Sequence, residues 1–594
     1  MGARRGSAGR VYPRADRAAL RRDRQQPHWR RGAAQEGQPA FSYLCAAAVR
    51  GAGVRDRGDF VHRLYHRRRA VPVVAVFPVR CAGVEHRVHR VHVAVVGHSD
   101  AGAFHHGAHL VGGTVHLSFH PVDPVSEAHL CRLRSRAGPH HALGAVPVFQ
   151  NKNMVLKRTF RARRRTLQIS EHRFSRHQQW QALSAENPWE VVPSMDKSGH
   201  GTEVAATAAG YSIEKEGFSG AAPEAELVVV KLKQAKRYLR DLYLLPQEAD
   251  IYQEDDIMLA IAYVLRVAAE NQKPLSICIG LGSSMGANQG EGPLNEYINS
   301  IAAFSQNAVS VPAGNEGTAR HHYMKTLSAA NIKDTIELRV GEKESTRGFI
   351  LEFWGDSPNF YSMTIQSPTG EQLSVSTSLK NNTQELSFVF VETKVLVNYV
   401  PIERRTGNTL IFIRFLHPAV GIWKFLVGER IPGESRFHMW LPVRGMISDD
   451  TYFLEPSPEY TVTSPGDAAD AMTVTAYQYR DNSLYVQASR GYNTENVVKP
   501  DFAAPGVDIL TASIGAGAEF APATGTSLAA AQTAGMAALL FEWSLIRENE
   551  PYFTGNSVKN YLSRGAVRDL NLIYPNPEWG YGRLDLYHTF ELLT

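Results

Sequence analysis

Three short stretches place reactive side chains among residues too small to shield them. Ser527 closes the triplet Gly525-Thr-Ser527, where a loop carrying Pro522 and Gly525 runs into an Ala-rich segment of high helix propensity. Small neighbours would let a substrate backbone approach the hydroxyl, which would make it a nucleophile. A serine opening a helix is also the commonest N-cap, and the triplet alone leaves both roles open. His200 sits between Gly199 and Gly201, ahead of the small-residue run 204–209 that reads as a tightly packed helix. A lone histidine is usually a satisfied core or surface residue, but glycines on both sides and a packed helix behind aim this ring at a loop. Asn315 stands in Pro312-Ala-Gly-Asn-Glu-Gly317, where an ordinary turn residue would also fit.

The elements that must hold these residues alternate in type. Ala225–Lys233 and Leu275–Gly282 are short apolar runs suited to buried strands, and Asp255–Glu270 and Leu294–Gln306 have helical periodicity. Ala308–Gly317, Asp470–Tyr477 and Lys499–Gly506 extend the strand series, and an amphipathic helix is expected near Ser557–Ser563. Strands alternating with helices predict a parallel α/β sheet. Ligands of such sheets bind beyond the carboxyl ends of the strands, which is where the glycine-rich Gly280-Leu-Gly282 and Gly314–Gly317 fall.

Between residues 321 and 460 the pattern changes to period two. Thr335–Val340, Gly348–Trp354, Tyr361–Gln366, Thr409–Phe415 and Gly421–Gly428 are separated by turn signals such as Ser367-Pro-Thr-Gly370. This predicts an antiparallel β-sandwich inserted into the α/β part. No cluster of titratable groups stands out within it, so it is expected to pack or to bind rather than to form a second active site.

Residues 1–180 are of a different character. They hold 32 Lys and Arg against 10 Asp and Glu, whereas the remainder holds 32 against 48, so the overall charge of +6 conceals two opposite halves. An Arg-rich half raises the possibility of nucleic-acid binding. Yet residues 1–150 contain no Lys, Asn or Ile, all encoded by AT-rich codons, which is the signature of a GC-rich stretch translated in a non-native frame. A genuine basic extension is the alternative, and no nucleic-acid partner is expected. Residues 1–181 are therefore expected to be irregular. Met1–Gln26 carries repeated Arg and lacks the apolar centre of a secretory signal, and no run reaches the roughly 18–20 apolar residues of a membrane span. Compartment and oligomeric state stay open. Cys45, Cys81, Cys131 and Cys278 form no disulfide framework or zinc-ligand spacing, and no cofactor or metal is expected.

Gly199-His-Gly-Thr202, Pro312–Gly317 and Gly525-Thr-Ser527, in that order, resemble the motifs of the subtilisin-like serine peptidases, the subtilases. Gly280-Leu-Gly282, Ala504-Pro-Gly506 and Gly580-Tyr-Gly-Arg583 add to the likeness, which covers about residues 182–320 and 460–594. The long insert is similar to that of the spore-germination branch of the family. The resemblance implies a subtilisin-like sheet with helices on both faces, split as 182–320 and 461–594 around the insert 321–460. It implies Ser527 as nucleophile, His200 as its general base and Asn315 as oxyanion donor, with Gly280, Leu281, Gly282 and Gly314 pairing with an extended peptide or protein substrate.

Two departures accompany it. Leu528-Ala-Ala-Ala-Gln532 replaces the usual Met-Ala-Ser-Pro-His, and no Asp-Thr/Ser-Gly motif supplies the third member of a triad. Asp100-Ala-Gly follows the apolar Val91–Val96 in otherwise unlike surroundings, Asp123 has no matching glycine, and Asp196 is close enough to His200 to shape their shared loop. The missing aspartate leaves a second expectation beside a working endopeptidase: a catalytically impaired relative that binds a peptide or partner in the same cleft.

Overall fold

The computed structural model describes residues 176–304, 306–377, 383–514 and 519–593. It also describes five strands before them: Pro72–Val74, Val93–Gly97, Gln150–Asn151, Met154–Arg161 and Arg164–Glu171. The centre is a seven-stranded sheet in the order Pro72–Val74, Glu226–Val229, Val93–Gly97, Leu275–Gly280, Asn307–Pro312, Met472–Tyr477 and Phe502–Pro505. The pairings are parallel, as the alternation of strands and helices predicts. Two strands come from the segment expected to be irregular, and Val93–Gly97 lies beside Leu275–Gly280 with Gly97 opposite Gly280.

The two faces of this sheet differ in side-chain size, and that difference decides which helices pack where. In Leu275–Gly280 every residue is buried. Leu275, Ile277 and Ile279 join a core with Val309, Val311 and the helices Glu254–Glu270 and Pro293–Ala303. The small Cys278 and Ala308 face the other way, into a core with the helices His200–Ala209 and Thr526–Phe541. Ser276 and Ser310 donate to the carbonyls of Ala534 (2.8 Å) and Ala530 (2.7 Å), tying strands to helix. Alanines and serines on both surfaces bring helix and sheet close and leave no buried hydroxyl of this pair unsatisfied. Thr526–Ile546 is long and apolar enough to cross a membrane, contrary to the sequence expectation. It is nevertheless the central core element, its helical part Thr526–Phe541 buried at 13 of 16 positions.

Gly535 sets the spacing of the two helices on that face. A Cβ there would lie 2.5 Å from Ala221 Cβ and 2.8 Å from Ala208 O, so only glycine permits the approach.

The inserted strands form two antiparallel sheets, as the period-two pattern predicts. One has the order Gln372–Ser374, Tyr361–Gln366, Gly421–Glu429, Lys333–Val340, Tyr452–Phe453. The other runs Gln384–Ser387, Lys394–Val400, Thr409–Leu416, Phe349–Gly355, Ser435–Trp440, His322–Leu327. Their facing sides share an aromatic core that includes Trp423, Phe425, Phe353 and Phe437, with Phe349 stacked on Phe415 at 4.7 Å.

Candidate active site

His200 is the first residue of its helix, and the loop before it is built around Asp196. The buried carboxylate accepts from the backbone N–H groups of Ser198 (3.1 Å), Gly199 (3.0 Å) and Thr202 (3.0 Å), and from the Thr202 hydroxyl (2.8 Å). It satisfies donors that a helix start leaves without partners and sets a negative charge at the positive end of the dipole. Gly199 has φ +90°, and a Cβ there would press on Ile514 at 3.1 Å, so glycine is required where the chain turns to present His200.

Ser527 is the second residue of the helix Thr526–Phe541, with Gly525 in the cap position and no side-chain cap bond. The N-cap role left open by the sequence is thereby excluded. The Ser527 N–H falls in the first helical turn, where no intrahelical acceptor exists.

Asn315 is oriented by the residue before the serine. Its Oδ1 accepts from Thr526 N (3.3 Å) and Thr526 Oγ1 (3.0 Å). A backbone N–H can only donate, so the oxygen must face Thr526 and Nδ2 must point the other way. Thr526 Oγ1 in turn accepts from Gly314 N at 3.3 Å. A Cβ built on Gly525 would lie 3.8 Å from Asn315 Nδ2 and 3.9 Å from Ser527 N. Two hydrogen-bond donors thus flank the corner that Gly525 keeps clear.

His200, Asn315 and Ser527 line a single cavity of about 370 Å³, together with Gly280, Leu281, Gly282 and Gly314. Leu281 reaches the cavity by its backbone, since its side chain is buried in the core behind. Thr463 closes the floor: a Cβ on Gly282 would sit 2.1 Å from its Oγ1, and one on Gly314 (φ +105°) 2.7 Å. Ser283 and Ser464 exchange backbone hydrogen bonds at 2.9 and 2.8 Å alongside. Among the described residues, no group of three or more His, Cys, Asp or Glu is arranged to hold a metal ion. Asp100 and Asp123 lie outside the described residues.

Several lining residues carry no sequence signal. Thr463, Tyr485 and Gln487 come from the segment after the insert, and Val443, Arg444, Gly445 and Asp449 come from the insert itself. The insert therefore forms one wall of the cleft. Single positions on irregular loops have no periodicity to reveal them, and their approach to Gly282 and Gly314 is purely tertiary.

The model of the subtilase family matches residues 177–337 and 450–582, leaving a gap that falls within the sandwich. The Clostridium perfringens CspB protease structure is 29% identical, with a TM-score of 0.63 over 72% of this chain and 85% of that one. An uncharacterised protein, aq_aa18 of Aquifex aeolicus (strain VF5), is 28% identical over 165 residues, covering 24% of this chain and 72% of that protein. Parallel sheet, inserted antiparallel sheets and sequence match define a subtilisin-like α/β protein. The chain belongs to the subtilase family of serine peptidases.

Proposed function

We propose that the chain is a serine endopeptidase with Ser527 as nucleophile, His200 as general base and Asn315 as oxyanion donor, acting on peptides or proteins. The observation that carries this reading is the convergence of His200, Asn315 and Ser527 on one cavity despite their separation in sequence. In the proposed reaction His200 takes the Oγ proton as Ser527 attacks the scissile carbonyl carbon. The developing oxyanion accepts from Asn315 Nδ2 and Ser527 N–H, a contribution of roughly 3 kcal/mol from the side-chain donor. The imidazolium then protonates the departing amine, and water releases the acyl group by the same path in reverse. Gly280, Leu281, Gly282 and Gly314 offer backbone and clearance to an extended substrate.

The catalytic part is proposed to comprise 182–320 and 461–594, with 321–460 as an insert of the kind found in the spore-germination branch, and 1–181 as a segment of anomalous composition whose strands Pro72–Val74 and Val93–Gly97 nevertheless join the catalytic sheet. The family match on either side of residues 338–449 supports that division. A fluorophosphonate probe tests the chemistry. Labelling of the purified chain that disappears in Ser527→Ala and falls at least 10³-fold in rate in His200→Ala is expected. Folded protein that is never labelled would contradict the proposal.

A further inference from the structure

We propose that Arg444, carried into the cleft by the insert, selects substrates with an Asp or Glu side chain next to the scissile bond. This rests on the peptidase reading above and goes further by assigning the cleft a charge preference.

The segment Leu441–Thr451 is fixed at both ends rather than free to drift. Towards the cleft, Leu441 N donates to His321 O (2.9 Å) at the edge of the insert, and on the catalytic side Ser284 Oγ donates to Leu441 O (2.7 Å) and Arg444 N to Glu316 Oε1 (3.1 Å). On the sandwich side, the fully buried Glu344 accepts from Ser448 N (3.0 Å) and Thr451 Oγ1 (2.6 Å), with Arg347 beside it at 2.7 Å. Arg444 therefore stands at a set position in the cavity wall, which is what recognition requires.

Its guanidinium is under-used. One nitrogen, Nη2, donates to Thr318 Oγ1 at 3.2 Å, and no described carboxylate lies within ion-pair distance. Nε is shielded from water without an acceptor. A guanidinium has five donors in a planar fork, and a carboxylate is the group that matches it with two oxygens. The nearby Glu316 does not serve, because its Oε2 is held by His321 Nδ1 (3.0 Å) and its Oε1 by the backbone of Arg444. Asp449 also lines the cavity but is exposed, and its charge opposes an acidic substrate from the rim.

The test pairs cleavage with binding. Peptides carrying Glu or Gln at each of the positions flanking the cleaved bond are compared on the full chain, and their dissociation constants are measured on the Ser527→Ala protein. At one position the Glu peptide is expected to be favoured over its Gln twin about tenfold or more in both measurements. That ratio is expected to collapse in Arg444→Gln, to invert in favour of Lys peptides in Arg444→Glu, and to widen in Asp449→Asn. Equal treatment of Glu and Gln by the unmodified chain, or an equal loss for both peptides in Arg444→Gln, overturns the assignment. Arg444-dependent Glu binding in a chain whose Ser527 is never labelled supports the recognition while overturning the peptidase reading. Failure to bind any peptide overturns both.

Discussion

Gly535 lies eight residues, or about 12 Å of helix, behind Ser527. Its substitution by Ala separates the positioning of the site from the stability of the fold. The added Cβ would meet Ala221 Cβ at 2.5 Å and Ala208 O at 2.8 Å, against an ordinary contact of 3.4 Å or more, so the loop at Ala221 must retreat by nearly 1 Å and the helix of Ala208 by about 0.6 Å. Ala208 belongs to the helix that opens with His200, so the displacement falls between His200 and Ser527. Overpacking of this kind costs about 1–3 kcal/mol, partly offset by the roughly 1 kcal/mol that alanine gains over glycine in a helix. The net loss of stability is therefore expected to be about 0–2 kcal/mol. A misplacement near 1 Å costs on the order of 10²-fold in rate. Urea denaturation measures the first quantity and the second-order rate of fluorophosphonate labelling the second. Ala221→Gly in the same chain removes the shorter contact and is expected to restore part of the rate. Labelling within twofold of the unmodified chain, in a variant shown to be destabilised, would refute the claim that helix spacing sets the placement of His200 against the proposed nucleophile Ser527.

Asp196→Ala is expected to lose about 1–3 kcal/mol of stability, because it strands several buried donors, and to slow labelling without abolishing it. A loss of about 10⁴ with normal stability would instead mark Asp196 as the acid that orients His200. Acid is expected to weaken the sandwich through His322 and His438, which are buried and stacked at 5.2 Å with a 3.0 Å ring-to-ring hydrogen bond. Burial lowers His322 to about 4 and His438 well below its usual value, with Arg436 adding to the second. The unfolded chain then binds more protons than the folded one below pH 6.5, so stability falls as pH drops from about 6.5 towards 4. The slope is up to about 1.4 kcal/mol per pH unit for each ring. Urea midpoints across that range check it, and a pH-independent difference between the chain and a His322→Gln, His438→Gln variant would count against it.

The local consistency of the chain made much of this legible in advance. Apolar runs such as Leu275–Gly280 and the period-two Tyr361–Gln366 report a side-chain environment residue by residue, so strand and helix types follow from sequence alone. The pattern also missed Lys394–Val400 and Ser435–Trp440, where Leu396 and Trp440 put apolar side chains on the same faces as Asn398 and His438 and break the expected alternation. The glycine-bearing motifs around Ser527, His200 and Asn315, and their order along the chain, mark these residues from sequence alone. Which role the hydroxyl of Ser527 is free to play was decided only by the cap falling on Gly525. The turning of Asn315 Nδ2 away from Thr526 likewise depends on two hydrogen bonds spanning more than 200 residues. The wall bearing Arg444 is the clearest case of what tertiary structure adds. Nothing in Val443-Arg-Gly445 distinguishes it from any surface loop. Glu316 and Glu344 place it in the cleft, because buried carboxylates must find donors and the donors available are on this loop.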